Sequence, residues 1–364
     1  MIQLMSRFVF AVSLGLPAAT GCAQTPANPE LPRFPTVVIS DVFEPPGESN
    51  VRSSFKLAED VALIGTEETG DIYAGRVHGD HAHWKKIIDG GGTWGIQDVR
   101  NFLRAEDGRL FATTSEPALV LRSADNGATW ESVAEAEASR TVALEQLATG
   151  EILVGLRRSE NDRISVLRSR DGFDTFETIV VDDSLPRQNT TCLIDLSGME
   201  PGVVLTGVGF EASGKVYRSA DAGSTWTQVA EFPEARDLMN FFVIGERVFV
   251  LASGISTIFV SDDLGQTWRK HAQVWDKGFL GQHAEFQQDG RTYHLLAGTD
   301  QREDLKRHVL LISDDAGDTW HEWIELATDT SGGASNLAVI SDDTIIVGTG
   351  NHSVQGRAYL VQAK

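Results

Sequence analysis

Five arginines recur along the first two thirds of the chain: Arg52, Arg100, Arg140, Arg187 and Arg236. A guanidinium fork binds a carboxylate or sulfate through two parallel hydrogen bonds. Several forks converging on one place would draw negative ligands toward it. Ser335, Asn336 and His352 add neutral polar groups nearer the C-terminus, and Glu67, Glu116, Arg157 and Asp300 add charged ones. His283 and Glu285 stand two residues apart, so on an extended strand they face the same way. Near cations they could act as base and acid, eliminating across a uronate or hydrolysing a glycoside. A hydrolase using paired carboxylates would need a second acid, such as Glu116 or Asp300. The plainer alternative is that the arginines pair with nearby Asp98, Glu145 and Asp237, and that His283 and Glu285 are structural.

Other motifs carry less chemistry. His78, Asp80, His81 and His83 form the densest metal-like cluster, but in what reads as an exposed outer hairpin, so no metal is expected. Gly90-Gly91-Gly92 reads as a connecting loop rather than a phosphate cradle. Neither a Gly-x-Ser-x-Gly elbow nor a Walker pattern occurs, and no cofactor is expected. Cys192 lies in the apolar run Cys192-Leu193-Ile194 and reads as a buried small hydrophobe. With 31 Lys+Arg against 52 Asp+Glu, the net charge of −21 argues against nucleic acid or a polybasic membrane patch as partner.

The elements that would position these groups are repeats. Four octets share the pattern Ser-x-Asp-x-Gly-x-Thr-Trp, beginning at Ser123, Ser219, Ser261 and Ser313. Their aspartates and tryptophans are Asp125 and Trp130, Asp221 and Trp226, Asp263 and Trp268, and Asp315 and Trp320. A fifth, from Ser169, keeps Asp171 and Thr175 but has Phe173 for Gly and Phe176 for Trp. A sixth, ending at His83-Trp84, is barely recognisable. β-branched runs flank each octet, which makes it a hairpin loop. Gly supplies a positive φ, Ser and Asp bond to the turn's own amides, and Trp plugs the space between sheets. Another apolar hairpin precedes each octet, giving about four strands per repeat. The count predicts an all-β propeller of seven blades, with six as the alternative. The run Thr36-Val37-Val38-Ile39-Ser40 is predicted to supply the outer strand that the last blade lacks, which closes the ring. In that frame Arg52, Arg100, Arg140, Arg187 and Arg236 begin the innermost strands of blades 1 to 5, facing the axis. Blade 6 offers His283 and Glu285 there, and blade 7 offers Ser335 and Asn336.

The octets resemble the Asp-boxes, or bacterial neuraminidase repeats, of the sialidase-like propeller superfamily. The resemblance spans about residues 36–364 and implies the fold. It leaves activity open, because the superfamily includes glycoside hydrolases, sortilin-type receptors and non-catalytic assembly factors. A typical sialidase is not expected. The Arg-Ile-Pro motif is missing, and Tyr73, Tyr217, Tyr293 and Tyr359 all fall on predicted second or third strands, away from a nucleophile's place. The resemblance implies a protein acting on or binding a carbohydrate, an anionic glycan, at the axial face. If it is an enzyme, the implied class is glycoside hydrolase or polysaccharide lyase. The alternative is a scaffold that docks an envelope protein.

The start of the chain differs from the rest. Arg7, the apolar stretch from Phe8 to Leu16, and small residues up to Cys22 or Ala23 read as an export signal over residues 1–23. Ala19-Thr20-Gly21-Cys22 resembles a lipobox, with Cys22 as the lipidated residue. Residues 24–35 read as a tether and 36–364 as a single propeller domain. The expectation is an exported monomer, periplasmic or lipid-anchored at a bacterial envelope.

Overall fold

Short apolar runs separated by turn residues fold into antiparallel meanders. The computed structural model describes residues 34–159, 163–183, 188–209, 213–301, 306–329, 332–351 and 354–364. Among these, the strands pair in groups of four over 50–88, 98–135, 138–182, 189–232, 238–273 and 278–329. A seventh group combines 333–363 with the strand Val37–Phe43. We number these blades 1 to 7 in chain order. The groups in 189–232, 238–273 and 278–329 are separate sheets. The others touch through single residue pairs near the starts of inner strands: Asn50 with Gly350, Glu67 with Asp98, and Ser115 with Arg140.

The ring closes by exchange of chain ends. Val37 pairs with Ala363 and Phe43 with Ala358, so the first strand completes the last blade. Trp323 Nε1 donates to the Pro35 carbonyl at 2.9 Å, and the Lys364 amide donates to that of Thr36 at 2.6 Å. Neighbouring blades pack face to face. Between blades 4 and 5, for example, Leu205 and Val216 meet Leu238, Phe241 and Val250, all buried. Burial of this kind is the main favourable term holding the ring together.

The octets do what their composition requires. In blades 2 to 6 the Ser hydroxyl bonds to the Asp carboxylate at 2.8–3.0 Å and accepts the amide four residues on at 2.7–3.0 Å. The Asp also takes the Thr amide at 2.8–2.9 Å. Trp130, Trp226 and Trp268 each donate Nε1 to the carbonyl of their own box glycine at 3.0–3.1 Å. The residue before the glycine also adopts positive φ, at Asn126, Ala222, Leu264 and Ala316. In blade 3 Phe173 takes the glycine's place at φ 70° and is buried. An arginine just before the box serine then reaches the next blade's box. Arg122 Nη1 donates to Gly172 O at 2.9 Å, Arg168 Nη1 to Ser224 Oγ at 2.6 Å, and Arg218 Nε to Leu264 O at 3.1 Å. The boxes are thus both turns and interblade joints.

Blade 1 lacks a box. Its outer hairpin turns tightly at Gly79 (φ 59°), and Trp84 stacks on Phe43 at 5.3 Å. Gly75 permits this, since a Cβ there would lie 2.6 Å from the indole. The triple glycine is not the plain loop expected. Gly90–Trp94 form a five-residue helix capped by Asp89, which accepts the Gly92 amide at 3.0 Å.

Candidate functional site: the axial funnel

Each inner strand carries a register shift near its start. The displaced residue is Arg52 in blade 1, Arg100 in blade 2, Val142 in blade 3, Thr191 in blade 4 and Met239 in blade 5. Blade 6 displaces two, Gly281 and Gln282, and blade 7 displaces Ser335. A bulge leaves its extra residue out of the ladder and re-aims its side chain. Here every displaced residue lines one of three adjoining cavities of about 420, 320 and 190 Å³, which share Arg52, Met239 and Ser335. We call this the axial funnel.

In blades 1, 2 and 7 the residue after the bulge reaches the adjacent blade and fastens it. Ser53 Oγ donates to Val99 O at 2.9 Å, Asn101 Nδ2 to Val142 O at 2.9 Å, and Asn336 Nδ2 to Val51 O at 2.7 Å. Asn336 was expected to bind ligand. It is buried and joins blade 7 to blade 1, also accepting from Ser54 Oγ at 2.5 Å, and with its neighbour Ser335 it lines the cavity of about 190 Å³.

Four expected arginines reach the funnel. Arg52 and Arg100 occupy the same bulge position, but Arg140 lies two residues before its bulge and Arg236 three, so they do not share one register. Arg187 and His352 lie outside the described residues, as does Cys22. Each of the four has a carboxylate partner. Arg52 Nη2 sits 2.9 Å from Glu67 and its Nε 3.5 Å from Asp98; Arg140 sits 3.3 Å from Glu116, and Arg236 3.0 Å from Asp237. Arg100 pairs with the other oxygen of Asp98, which also accepts from Ser115 Oγ at 3.0 Å. Asp98 is buried, which by itself would raise its carboxyl; Arg100 and Arg52 outweigh that and hold it below the usual carboxylate range. Burial pulls the Arg100 guanidinium down, with Asp98 opposing. It acts the same way on Arg52, where Asp98 and Glu67 more than compensate and raise it. Arg236 differs from the others in exposure, with 72 % of its side chain open to solvent.

The expected catalytic pair is elsewhere. His283 and Glu285 lie beyond the blade 6 bulge and line none of the three cavities. His283 stacks on Phe242 of blade 5 at 4.1 Å and contacts His294 through Nε2 at 3.3 Å. Burial, and then His294, push its imidazole down to about 3, so it stays neutral. Glu285 is exposed, 3.9 Å from His294. The cause is local. Gly278–Gln288 is an eleven-residue strand whose funnel end is Gly278 to Gln282, and its two-residue bulge shifts the positions that follow. The His78, His81 and His83 cluster lies in the outer hairpin of blade 1, and among the described residues no group of three such ligands is arranged to hold a metal ion. Sequence reasoning passed over Met239, Phe279, Gln301 and Lys306, which line the cavity of about 420 Å³.

The blades, the closing strand and the axial funnel define the molecule as a β-propeller. The chain belongs to the family described as the DUF6242 β-propeller domain, whose model matches residues 44–275. A model described as sortilin, neurotensin receptor 3, matches residues 214–357. No curated protein sequence matches. Among solved structures, YCF48 bound to a D1 peptide aligns with a TM-score of 0.60 and 16% identity over 94% of this chain and 99% of that one. YCF48 from Cyanidioschyzon merolae aligns at 0.55 and 12%, over 88% and 98%. A Hadza microbial sialidase aligns at 0.50 and 15%, over 81% and 74%. At these identities the likeness is one of fold.

Proposed function

We propose that this propeller is a binding protein without catalytic turnover, whose axial funnel receives an acidic segment of a partner protein. One observation carries the reading: Arg52, Arg100, Arg140 and Arg236, from four different blades, converge on adjoining cavities. The carboxylates beside them, Glu67, Asp98, Glu116 and Asp237, are each tied to an arginine. Glycoside hydrolysis through paired carboxylates needs one of them protonated as acid. Asp98, held below its usual range, is unsuited to that role. The solved YCF48 complex with a peptide supports a peptide ligand on this fold. An acidic oligosaccharide is the second reading, favoured by the sialidase among the structural neighbours, since arginine forks take sugar carboxylates equally well.

The test is isothermal titration of the protein with Asp- and Glu-rich peptides and with uronate oligosaccharides. Saturable peptide binding is expected, weakened at least tenfold by Arg236→Glu, which reverses an exposed charge and leaves the fold intact. A flat response to every ligand overturns the proposal. Binding of uronates alone transfers it to the glycan reading. The protein is further proposed to act at the cell envelope through lipid on Cys22, on the strength of the Ala-Thr-Gly-Cys sequence. Labelled palmitate should enter the wild type and not Cys22→Ala; equal labelling of both would refute the anchor.

A further inference from the structure

The three cavities of the funnel share Arg52, Met239 and Ser335 and differ in their other walls. The cavities of about 190 and 320 Å³ contain Arg52 and Arg100 together, and the latter also contains Arg140. The cavity of about 420 Å³ adjoins them and is lined by blades 5, 6, 7 and 1. Its apolar side chains are Met239, the displaced residue of blade 5, and Phe279, near the start of the blade 6 inner strand. Both are only partly buried.

Two glycines let the walls of this cavity pack closely. The Phe279 ring lies against the backbone of Gly333, where a Cβ would come within 2.1 Å of Cζ. Gly278 holds φ at 141°, and a Cβ there would meet Thr299 O at 2.1 Å. Side chains at either place would collide with these walls. The volume falls within the range of cavities that enclose small ligands, about 300–1,000 Å³, and exceeds what a lone ion needs. Arg52 and Arg236 line the same cavity as Phe279 and Met239. A ligand group seated there meets cations and an apolar wall at once.

Resting on the reading that the funnel takes an acidic peptide, we infer that this cavity receives an aromatic or large aliphatic side chain next to the acidic residue. The ligand class is therefore an acidic segment with an embedded hydrophobic anchor, not a purely charged one. Charge brings the segment to the funnel, and the anchor decides which segment stays.

The experiment measures fluorescence anisotropy of the full chain with labelled Asp-Asp-Phe-Asp-Asp, Asp-Asp-Leu-Asp-Asp and Asp-Asp-Ala-Asp-Asp. The Phe peptide is expected to bind at least tenfold more tightly than the Ala peptide, which corresponds to about 1.4 kcal/mol. Met239→Gln, which makes the wall polar without changing its size much, should reduce that ratio below threefold. Phe279→Leu provides a second variant, with the ratio shifting from the Phe toward the Leu peptide. Equal affinity for the three peptides overturns the hydrophobic subsite and leaves the acidic-peptide reading in place. Binding of none of them overturns both.

Discussion

The box loops and the axial bulges are both repeated around the ring, yet they vary in opposite ways. In blades 2 to 6 the boxes hold the same Ser, Asp and Thr side chains in the same bonds, within a few tenths of an ångström. The bulges share a backbone position but present Arg52, Arg100, Val142, Thr191, Met239, Gly281 with Gln282, and Ser335. A box side chain must satisfy its own turn, so its identity is constrained locally. A bulge side chain lies outside the ladder, so it is set by what it meets at the axis, as Arg52 and Arg100 meet Asp98 and Gln282 meets the Leu337 amide, and it differs from blade to blade. The repeated motif is therefore the scaffold, and chemistry resides where repetition fails.

The largest expected effect tests the structural half of this contrast. Trp226→Ala removes a large packed ring and a hydrogen bond to Gly223, and should cost about 3 kcal/mol. Arg236→Ala, at the exposed funnel rim, should change stability by less than about 0.5 kcal/mol while weakening ligand binding. Urea denaturation of both variants checks the pair, and equal losses would break the contrast.

Two buried groups give mirrored pH effects at the interfaces between blades. Glu48, in the segment leading from the closing strand into blade 1, is buried and accepts from the Thr69 amide at 3.3 Å. Burial, only partly offset by the Thr69 bonds, pushes its carboxyl up to about 7. A raised carboxyl binds its proton more tightly when folded. Its stabilising contribution is complete below about pH 4.5 and is lost as pH rises through 7. Glu48→Gln keeps an acceptor without the charge, and should gain roughly 2–3 kcal/mol at pH 8 and nothing at pH 4.5. His283 runs the other way. Its folded value near 3 means its contribution is present above about pH 6.5 and is lost on acidification from there to pH 3. His283→Phe, which retains a ring against Phe242, should therefore gain about 2 kcal/mol over wild type at pH 5 and little at pH 8. Thermal melts across pH 4.5–8 read both, and parallel profiles for variant and wild type would refute either assignment.

A further test concerns the box that departs from the pattern. Phe173→Gly relieves a positive φ, worth about 1 kcal/mol, but removes a buried ring that contacts Phe111 at 6.0 Å. Loss of packing should win, for a net cost of about 2 kcal/mol by denaturation. A stabilised variant would mean that Phe173 is tolerated rather than used.

Much of this architecture is legible in the amino-acid order because it is local. Ser219, Asp221, Gly223, Thr225 and Trp226 close a turn within eight residues, and the β-branched runs beside them have few alternatives to strands. The closing strand is legible for a related reason: an unpaired run at one end matches a missing strand at the other. The candidate site was legible in part. Arg52, Arg100, Arg140, Arg236 and Ser335 could be placed at the axis because inner strands begin at countable intervals.

Register and partnership were decided by the tertiary structure. A bulge re-aims the side chains around it: Asn336 fastens blade 7 to blade 1 while lining the funnel beside Ser335, and His283, after the two residues displaced in blade 6, stacks on Phe242 instead. The pairing of Arg100 with Asp98, two residues away, was within reach of the sequence. That of Arg52 with the same carboxylate, 46 residues on, was not, because it exists only where blades 1 and 2 meet. Sequence order determined the repeating unit and its turns, since those energies are settled among near neighbours. Which side chains face the axis, and what holds them, was fixed only when the blades closed on one another.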